Sequence, residues 1–162
     1  MARTKQQAIQ LERGQKRSVS TQFGALCYRI RKDKVQVLLI TSRGTGRWVI
    51  PKGWPMHNHT PVDTAAREAF EEAGAEGKTI PTCLGIYSYL KETDDGNSQT
   101  CVVALFPLKV KRMQSAFPEA GQRKRNWLSP AKAAALVDEP DLAQIIRAFD
   151  PARLPPRAAK QH

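Results

Sequence analysis

The sequence is short of cysteine, of acidic residues and of long apolar runs, and each shortage removes a class of protein. Three cysteines in 162 residues, Cys27, Cys83 and Cys101, are odd in number and widely spaced. They supply neither a disulfide framework nor the paired spacing of a zinc site. Cys27 and Cys101 lie in apolar, strand-like runs, where a buried thiol is the ordinary role. A reduced, cytoplasmic setting is therefore expected. No apolar run approaches the length that spans a bilayer, so no membrane partner is expected. Residues 1–20 are polar and basic and lack the apolar stretch of a secretory signal. Acidic residues number 15 against 26 Lys and Arg, a formal net charge of +11. That excess favours anionic partners: nucleic acid, polyphosphorylated metabolites or anionic membranes. Part of it lies towards the ends, at Arg3, Lys5, Arg13, Lys16 and Arg17 and at Arg153, Arg157 and Lys160, where charge often serves only solubility. The aromatic signature of an RNA-recognition sheet and zinc-finger spacing are also absent, which weighs against a dedicated nucleic-acid reader.

What is present suits one globular domain. The chain is long enough for a real core, and 41% of it is apolar. Residues 1–19 read as a flexible basic arm, with room for a short helix at Ile9-Gln10-Leu11; 20–150 read as the folded domain and 151–162 as a tail. Within the domain, strands are expected over 22–31, 35–41, 48–50, 80–91 and 100–109. Turns fall at Asp33-Lys34 and at Asp94-Asp95-Gly96-Asn97, the latter closing an antiparallel hairpin. A polar loop spans 111–125, and Ser129-Pro130 and Pro140-Asp141 open two short helices. Strands interleaved with helices predict an α/β fold, a mixed sheet covered by helices.

The stretch from Gly53 to Ala75 carries the chemistry. Thr60 can cap a helix, Pro61 fits its first position, Asp63 sits near its positive pole and Gly74 ends it. On that helix Glu68, Glu71 and Glu72 fall within an arc of about 100°, with Ala65, Ala66, Ala69, Phe70 and Ala73 read as the opposite, buried face. Like charges three and four apart repel, and Glu71 and Glu72 lie toward the negative pole. A bound hard cation would explain such a cluster in a basic protein, since oxygen-only ligands suit Mg²⁺, Mn²⁺ or Ca²⁺. The alternative is a solvated acidic face on which Arg67 pairs with Glu71.

Gly53, Arg67, Glu68, Glu71, Glu72 and Gly74, with Ala69 and Ala75 in the aliphatic slots, resemble the Nudix signature. One position departs: His59 stands where that pattern has its first Glu. The run Arg47-Trp48-Val49-Ile50-Pro51-Lys52-Gly53 and the later Pro118-Glu119 to Trp127-Leu128 resemble the subgroup of diphosphoinositol polyphosphate and diadenosine polyphosphate hydrolases. The likeness spans residues 20–150 and implies a Nudix-type α/β/α sandwich with a mixed β-sheet. It also implies a pyrophosphohydrolase in which metal-activated water attacks a phosphoanhydride of a highly anionic small molecule. Mg²⁺ would be the cofactor, with Mn²⁺ as a substitute.

The resemblance suggests roles for individual residues. Glu68, Glu71 and Glu72 would hold metal together with the Gly53 carbonyl, and Arg67 would orient the glutamates. Glu119 would add a carboxylate as ligand or general base, with Glu68 the other candidate base. Arg43, Arg47 and Lys52 would grip the substrate's phosphates, as a cationic wall facing the acidic helix. Such a wall predicts a preference for long phosphate chains over ADP-ribose. Gly53 taken alone reads as a turn glycine. Lys111, Arg112, Arg123, Lys124 and Arg125 form a second basic group around Glu119, either another phosphate rim or a charged loop. His59 could be a neutral ligand, a phosphate donor or a bystander. Trp48 reads as core, and Trp54 as core or a stacking surface. Two other functions stay open: an RNA 5′-end pyrophosphohydrolase, and a non-catalytic nucleotide- or RNA-binding module on the same scaffold. The number of subunits is not legible in the sequence.

Overall fold

The computed structural model describes residues 6–9 and 19–156. Its sheet follows from strands whose alternate side chains bury on opposite faces. In β1 (Val19–Arg31), Phe23, Ala25 and Cys27 join one core cluster while Leu26 and Tyr28 join another. In β2 (Lys34–Thr41), Leu38 and Ile40 take the first side, Val37 and Leu39 the second. Both strands are thus buried on two faces, which is why they read as near-continuous apolar runs. Around them lie β3 (Trp48–Val49), β4 (Lys52–Gly53), β5 (Ala75–Thr79), β6 (Gly85–Glu92), β7 (Ser98–Met113) and β8 (Arg125–Leu128). The sheet runs β3-β2-β1-β7-β5, with β4 on β1, β6 on β7 and β8 on β2. Only β1 and β7 are parallel among the described strands, so the sheet is mixed.

Helices cover both faces. α1 (Pro61–Ala73) packs Val62, Ala65, Ala69 and Ala73 into the first cluster. α2 (Pro130–Leu136) and α3 (Pro140–Ala148) supply Ala133, Ala134, Leu142, Ala143 and Ile146 to the second. The result is the α/β/α sandwich expected from the resemblance. α1 begins and ends as its sequence predicts. Thr60 Oγ1 accepts from the Asp63 N–H at 3.2 Å, and Gly74 adopts φ 67° with its N–H on the Phe70 carbonyl at 2.9 Å.

Several boundaries differ from the sequence reading. β5 is a separate strand, and the strand expected over 80–91 is instead β6, regular over 85–92. Residues 75–79 (Ala-Glu-Gly-Lys-Thr) show no apolar alternation; pairing with a long β7 makes them a strand. β7 runs to Met113, so the polar loop starts later than expected, and Pro151–Arg153 form a short 3-10 turn rather than irregular tail. Most of the expected basic arm, including Gln10-Leu11 of the short helix, lies outside the described residues. Residues 6–9 are held to the loop before α1: Ile9 and the 58–59 segment exchange N–H to carbonyl bonds at 3.0 Å, and the Gln6 side chain accepts from the Val62 N–H at 2.8 Å. Cys27 and Cys101 are buried, Cys83 is exposed, and all three are free thiols. No helix among the described residues is long and apolar enough to cross a membrane.

Candidate active site

α1 lies across β1 and β4, and that packing decides what each glutamate can reach. β4 pairs with β1 through Gly53 opposite Phe23 and Lys52 opposite Gly24. This brings the Gly53 backbone against Glu68. A Cβ on Gly53 would lie 2.1 Å from Glu68 Cδ and 2.2 Å from its Oε1. Gly53 has no positive φ, so it is a close-approach glycine and not a turn glycine.

Glu72 overturns the expectation of a single exposed acidic face, being only 6% exposed. At 100° per residue it sits about 20° from Ala65, one heptad earlier, and therefore on the buried stripe. Its Oε1 accepts from the Lys52 N–H at 3.2 Å and its Oε2 faces Arg123 at 3.4 Å. Glu71 stays on the accessible side and pairs with Arg67 at 3.3 Å. Arg67 is 60% exposed, so the pair orients Glu71 at small energetic gain.

Glu119 joins these carboxylates through the loop between β7 and β8. Its N–H bonds the Glu71 carbonyl at 3.0 Å, fixing the loop on the end of α1. Arg123 then meets Glu119 at 3.0 Å and the Thr41 carbonyl at 3.1 Å as well as Glu72. Its side chain is 10% exposed. Arg125 bonds the carbonyls of Ala73 and Gln114, each at 2.9 Å, and lies over the Phe117 ring. Arg123 is thus an inward clamp, while exposed Arg125 ties the loop to the end of α1. The sequence shows Arg123 only as one cation in a basic run; its part in the site is the main feature that sequence reasoning misses.

Crowding shows in the proton affinities. Burial, then the charges of Glu72, Glu71 and Glu119, push the Glu68 carboxyl up from 4.5 to about 7, against the opposing pull of Arg123. Glu72 is raised by burial, opposed by Arg123 and by the Lys52 N–H. A carboxyl raised in the folded state stabilises the fold at low pH and loses that contribution as pH rises through the folded value. Metal-free protein should therefore become less stable between pH 4.5 and about 7 through Glu68. Thermal melts of the parent and Glu68→Gln without divalent ions should converge at pH 4.5 and separate at pH 7.5, the variant melting higher. A gap of the same size at both pH values would show that Glu68 ionises normally.

The chemistry of the donors suits a hard cation, although their spacing does not yet close on one. All the donors are oxygen, the carboxylates raise one another's proton affinity, and a Cβ would fill the space at Gly53. As they stand, no three His, Cys, Asp or Glu side chains among the described residues converge tightly enough to hold one, and Arg123 lies among them.

The expected cationic wall is not continuous. Arg43 reaches Glu119 at 3.5 Å and Gln122 at 3.3 Å. Arg47 instead crosses to the turn between α2 and α3, meeting Asp138 at 3.1 Å and Glu139 at 3.8 Å. Lys52 Nζ lies over the Tyr89 ring at 4.9 Å, and burial lowers its proton affinity. His59 is engaged in its own loop, its Nδ1 2.9 Å from the His57 carbonyl oxygen. It lines an open cavity of about 450 Å³ with Asp63, Ala66, Arg67, Phe70, Glu71 and Pro118. That cavity excludes Glu68 and Glu72, so it is the flank of α1 and not the centre of the acid cluster. Trp48 packs against the core, and Trp54 is 40% exposed beneath Lys91.

Known proteins are similar to this chain in sequence and in architecture. Nudix hydrolase 13, mitochondrial, of Arabidopsis thaliana is 31% identical over 130 residues, covering 70% of this chain and 64% of that protein. Diphosphoinositol polyphosphate phosphohydrolase 2 of Rattus norvegicus is 32% identical over 112 residues, covering 69% and 59%. The matched stretch spans between 53% and 65% of the length of such curated relatives. Among solved structures, the C. elegans Ap4A hydrolase superposes with a TM-score of 0.58 at 21% identity, over 80% of this chain and 94% of that one. The MutT protein from Methanosarcina mazei Go1 gives 0.61 at 18%, over 82% and 93%; both likenesses speak to the fold. The NUDIX domain model matches residues 20–149, a span that holds all four glutamates, Gly53 and Arg123, and the chain therefore belongs to the NUDIX family.

Proposed function

We propose that this chain is a divalent-metal-dependent pyrophosphohydrolase that cleaves a phosphoanhydride bond in a polyphosphorylated small molecule. The observation that carries the reading is that Arg123 bridges Glu72 and Glu119, the Glu119 N–H bonds the Glu71 carbonyl and Glu68 lies against Gly53, so that four carboxylates neighbour the end of α1 in a chain of net charge +11. The named activity of one relative, a diphosphoinositol polyphosphate phosphohydrolase, supports the same substrate class.

Glu68, Glu71 and Glu72 would hold Mg²⁺, or Mn²⁺ in its place, beside the Gly53 backbone, with Glu119 close by. The metal would neutralise charge on the reacting phosphates and make water a stronger nucleophile. The protein's residues do the positioning. Arg67 steadies Glu71, Arg123 holds Glu119 against Glu72, and the Gly53 gap seats Glu68. The water's proton passes to a carboxylate of this cluster. Glu68 and Glu119 are the two candidates, and comparing the rates of Glu68→Gln and Glu119→Gln identifies which acts. Arg43 at the Glu119 end and Arg47 at the Glu139 end would take phosphates leaving the acid cluster in either direction.

A phosphate-release screen with and without Mg²⁺ tests the reading. It should cover diadenosine polyphosphates, ADP-ribose, nucleoside triphosphates, inositol pyrophosphates and triphosphorylated RNA. Mg²⁺-dependent release from a small polyphosphate supports it; release from RNA alone, or from nothing, sinks it. Arg43 and Arg47, on two sides of the acid cluster, favour long phosphate chains, so a diadenosine tetra- to hexaphosphate should exceed ADP-ribose in kcat/KM. Arg47→Ala should weaken the long-chain substrate more, and added salt should shrink the preference. Equal losses for the two substrates would remove Arg47 from phosphate binding.

A further inference from the structure

A second concentration of charge lies where β1 turns into β2 beside the later half of β7. Phe23 of β1 faces Gly53 at the acid cluster; Arg31 lies eight residues further on, about 26 Å along the strand. There Arg31 is paired with Lys34, Tyr28 with Lys109, and Lys109 in turn with Lys78. Lys111 falls at a register shift, between the paired residues Val110 and Arg112. β2, β1, β7 and β5 are consecutive in the sheet, so these cations form a stripe about 14 Å wide. Arg31, Lys32, Lys34, Lys109 and Lys111 are exposed, and none forms an ion pair among the described residues. By contrast, Arg43, Arg47, Arg67, Arg123 and Arg153 each meet a carboxylate. The acids that stand beside the stripe, Asp33 in the turn and Glu76 opposite Arg112, are too few to balance it. Asp150, next to the Phe149 ring that meets Tyr28, is held by Arg153.

Two local features bear on what the stripe holds. Lys32 and Asp33 both have positive φ, 50° and 62°, as in the two-residue hairpin turn that favours Asn-Gly. A Cβ strains that backbone, and lysine lacks the short polar group that lets Asn tolerate it. The turn therefore carries a cation where a neutral residue would fold better. Arg29, two residues before Arg31 and on the same face of β1, donates to Gln36 at 2.7 Å. Its guanidinium lies over the Trp127 ring, 4.3 Å from the centroid. Burial, then the charge of Arg31, lowers its proton affinity. Arg29 is partly exposed, so a planar cation held flat on an aromatic ring stands at the edge of the stripe.

We propose that this stripe is a binding surface for single-stranded nucleic acid, which it holds by the phosphates and without regard to sequence. Phosphates meet Arg31, Lys32, Lys34, Lys109 and Lys111, and a base stacks on the Arg29–Trp127 pair. A duplex offers no unstacked base to that pair. A membrane surface calls for a face of apolar side chains to insert, and Ile30, 50% exposed, does not make one. Binding of this kind needs no base-reading motif, and the chain has none. The surface is separate from the acid cluster, so it neither requires nor replaces the hydrolase reading.

The test is fluorescence anisotropy of labelled oligo(U) and oligo(dT) of about 20 nucleotides with the full chain, in EDTA, from about 50 to 200 mM salt. Binding of either supports the proposal, and the tighter of the two distinguishes RNA from DNA. Log affinity should fall against log salt with a slope of about −3 to −4, for about five phosphate contacts. The double variant Arg31→Gln/Lys109→Gln should bind about tenfold or more weakly at the lower salt, with a slope shallower by about 1 to 2. Arg29→Lys keeps the charge and loses the flat guanidinium. It should weaken oligo(dT) several-fold and leave an abasic strand of the same length unaffected. Lys32→Asn should weaken binding and raise the melting temperature, so it decides the matter if the double variant fails to fold. Lys132→Gln, on exposed α2, should bind as the parent does. Four results each overturn the proposal: unchanged affinity in the double variant and Lys32→Asn, loss in Arg47→Ala instead, an abasic strand bound as tightly as oligo(dT), or capture by phosphatidylserine vesicles but not by oligonucleotides. Polyphosphate hydrolysis under Mg²⁺ should be unchanged in every stripe variant, so failure here leaves the hydrolase reading standing.

Discussion

Glu71→Gln should lose turnover by about 10²–10⁴-fold while melting close to the parent, because a charged metal ligand supplies several kcal/mol of transition-state stabilisation. Its side chain is 32% exposed and, among the described residues, its ion pair is with exposed Arg67, so little structural energy goes with it. Glu72→Gln should lose turnover comparably and also stability, unlike the fold-neutral loss that an exposed helix face predicts. Its carboxylate faces Arg123, 10% exposed, and accepts the Lys52 N–H. Neutralising it leaves a buried guanidinium with only Glu119 as charge partner, at a cost of about 1–3 kcal/mol. Steady-state rates at saturating Mg²⁺, beside thermal melts, separate the two variants. Near-normal turnover in either would remove that glutamate from the site, and equal melting temperatures would show that Glu72 is not clamped as described.

Gly53→Ala is expected to disable the site with the fold intact. The added Cβ collides with Glu68 Cδ and Oε1, the far end of a flexible side chain, so the side chain can move away at little structural cost. The site depends on where that carboxylate stands. Displacing it by about 1 Å should lower kcat about 10²-fold or more. Metal affinity should weaken as well, read by calorimetric titration of Mn²⁺. Unchanged kcat would mean that Glu68 acts equally well from its displaced position. A large drop in melting temperature would show that Gly53 serves strand packing instead.

The limits of α1 and the identity of its acidic residues were legible in the sequence, because caps, proline at the first helical position and a left-handed glycine act over a few residues. So were β1 and β2, whose near-continuous apolar runs survive reading without a partner. β5 was not, since residues 75–79 become a strand only by lying on β7. Within the site the same division holds. Glu68 and Glu71 follow from helical spacing and charge. Burial of Glu72 follows from which side of α1 meets the sheet, and the true reason for Gly53 from where β4 crosses α1. Arg123 meets Glu72 across 51 residues of chain, and Arg47 meets Asp138 across 91. Such contacts depend on strand order and register, which place loops distant in sequence at one end of the sheet. One residue of slip turns every side chain of a strand to the other face. The sequence alone determined which groups could do this chemistry. Tertiary structure decided that Arg123 serves the carboxylates, that Arg43 and Arg47 part company, and that Arg31 and Lys109 share one stripe of the sheet.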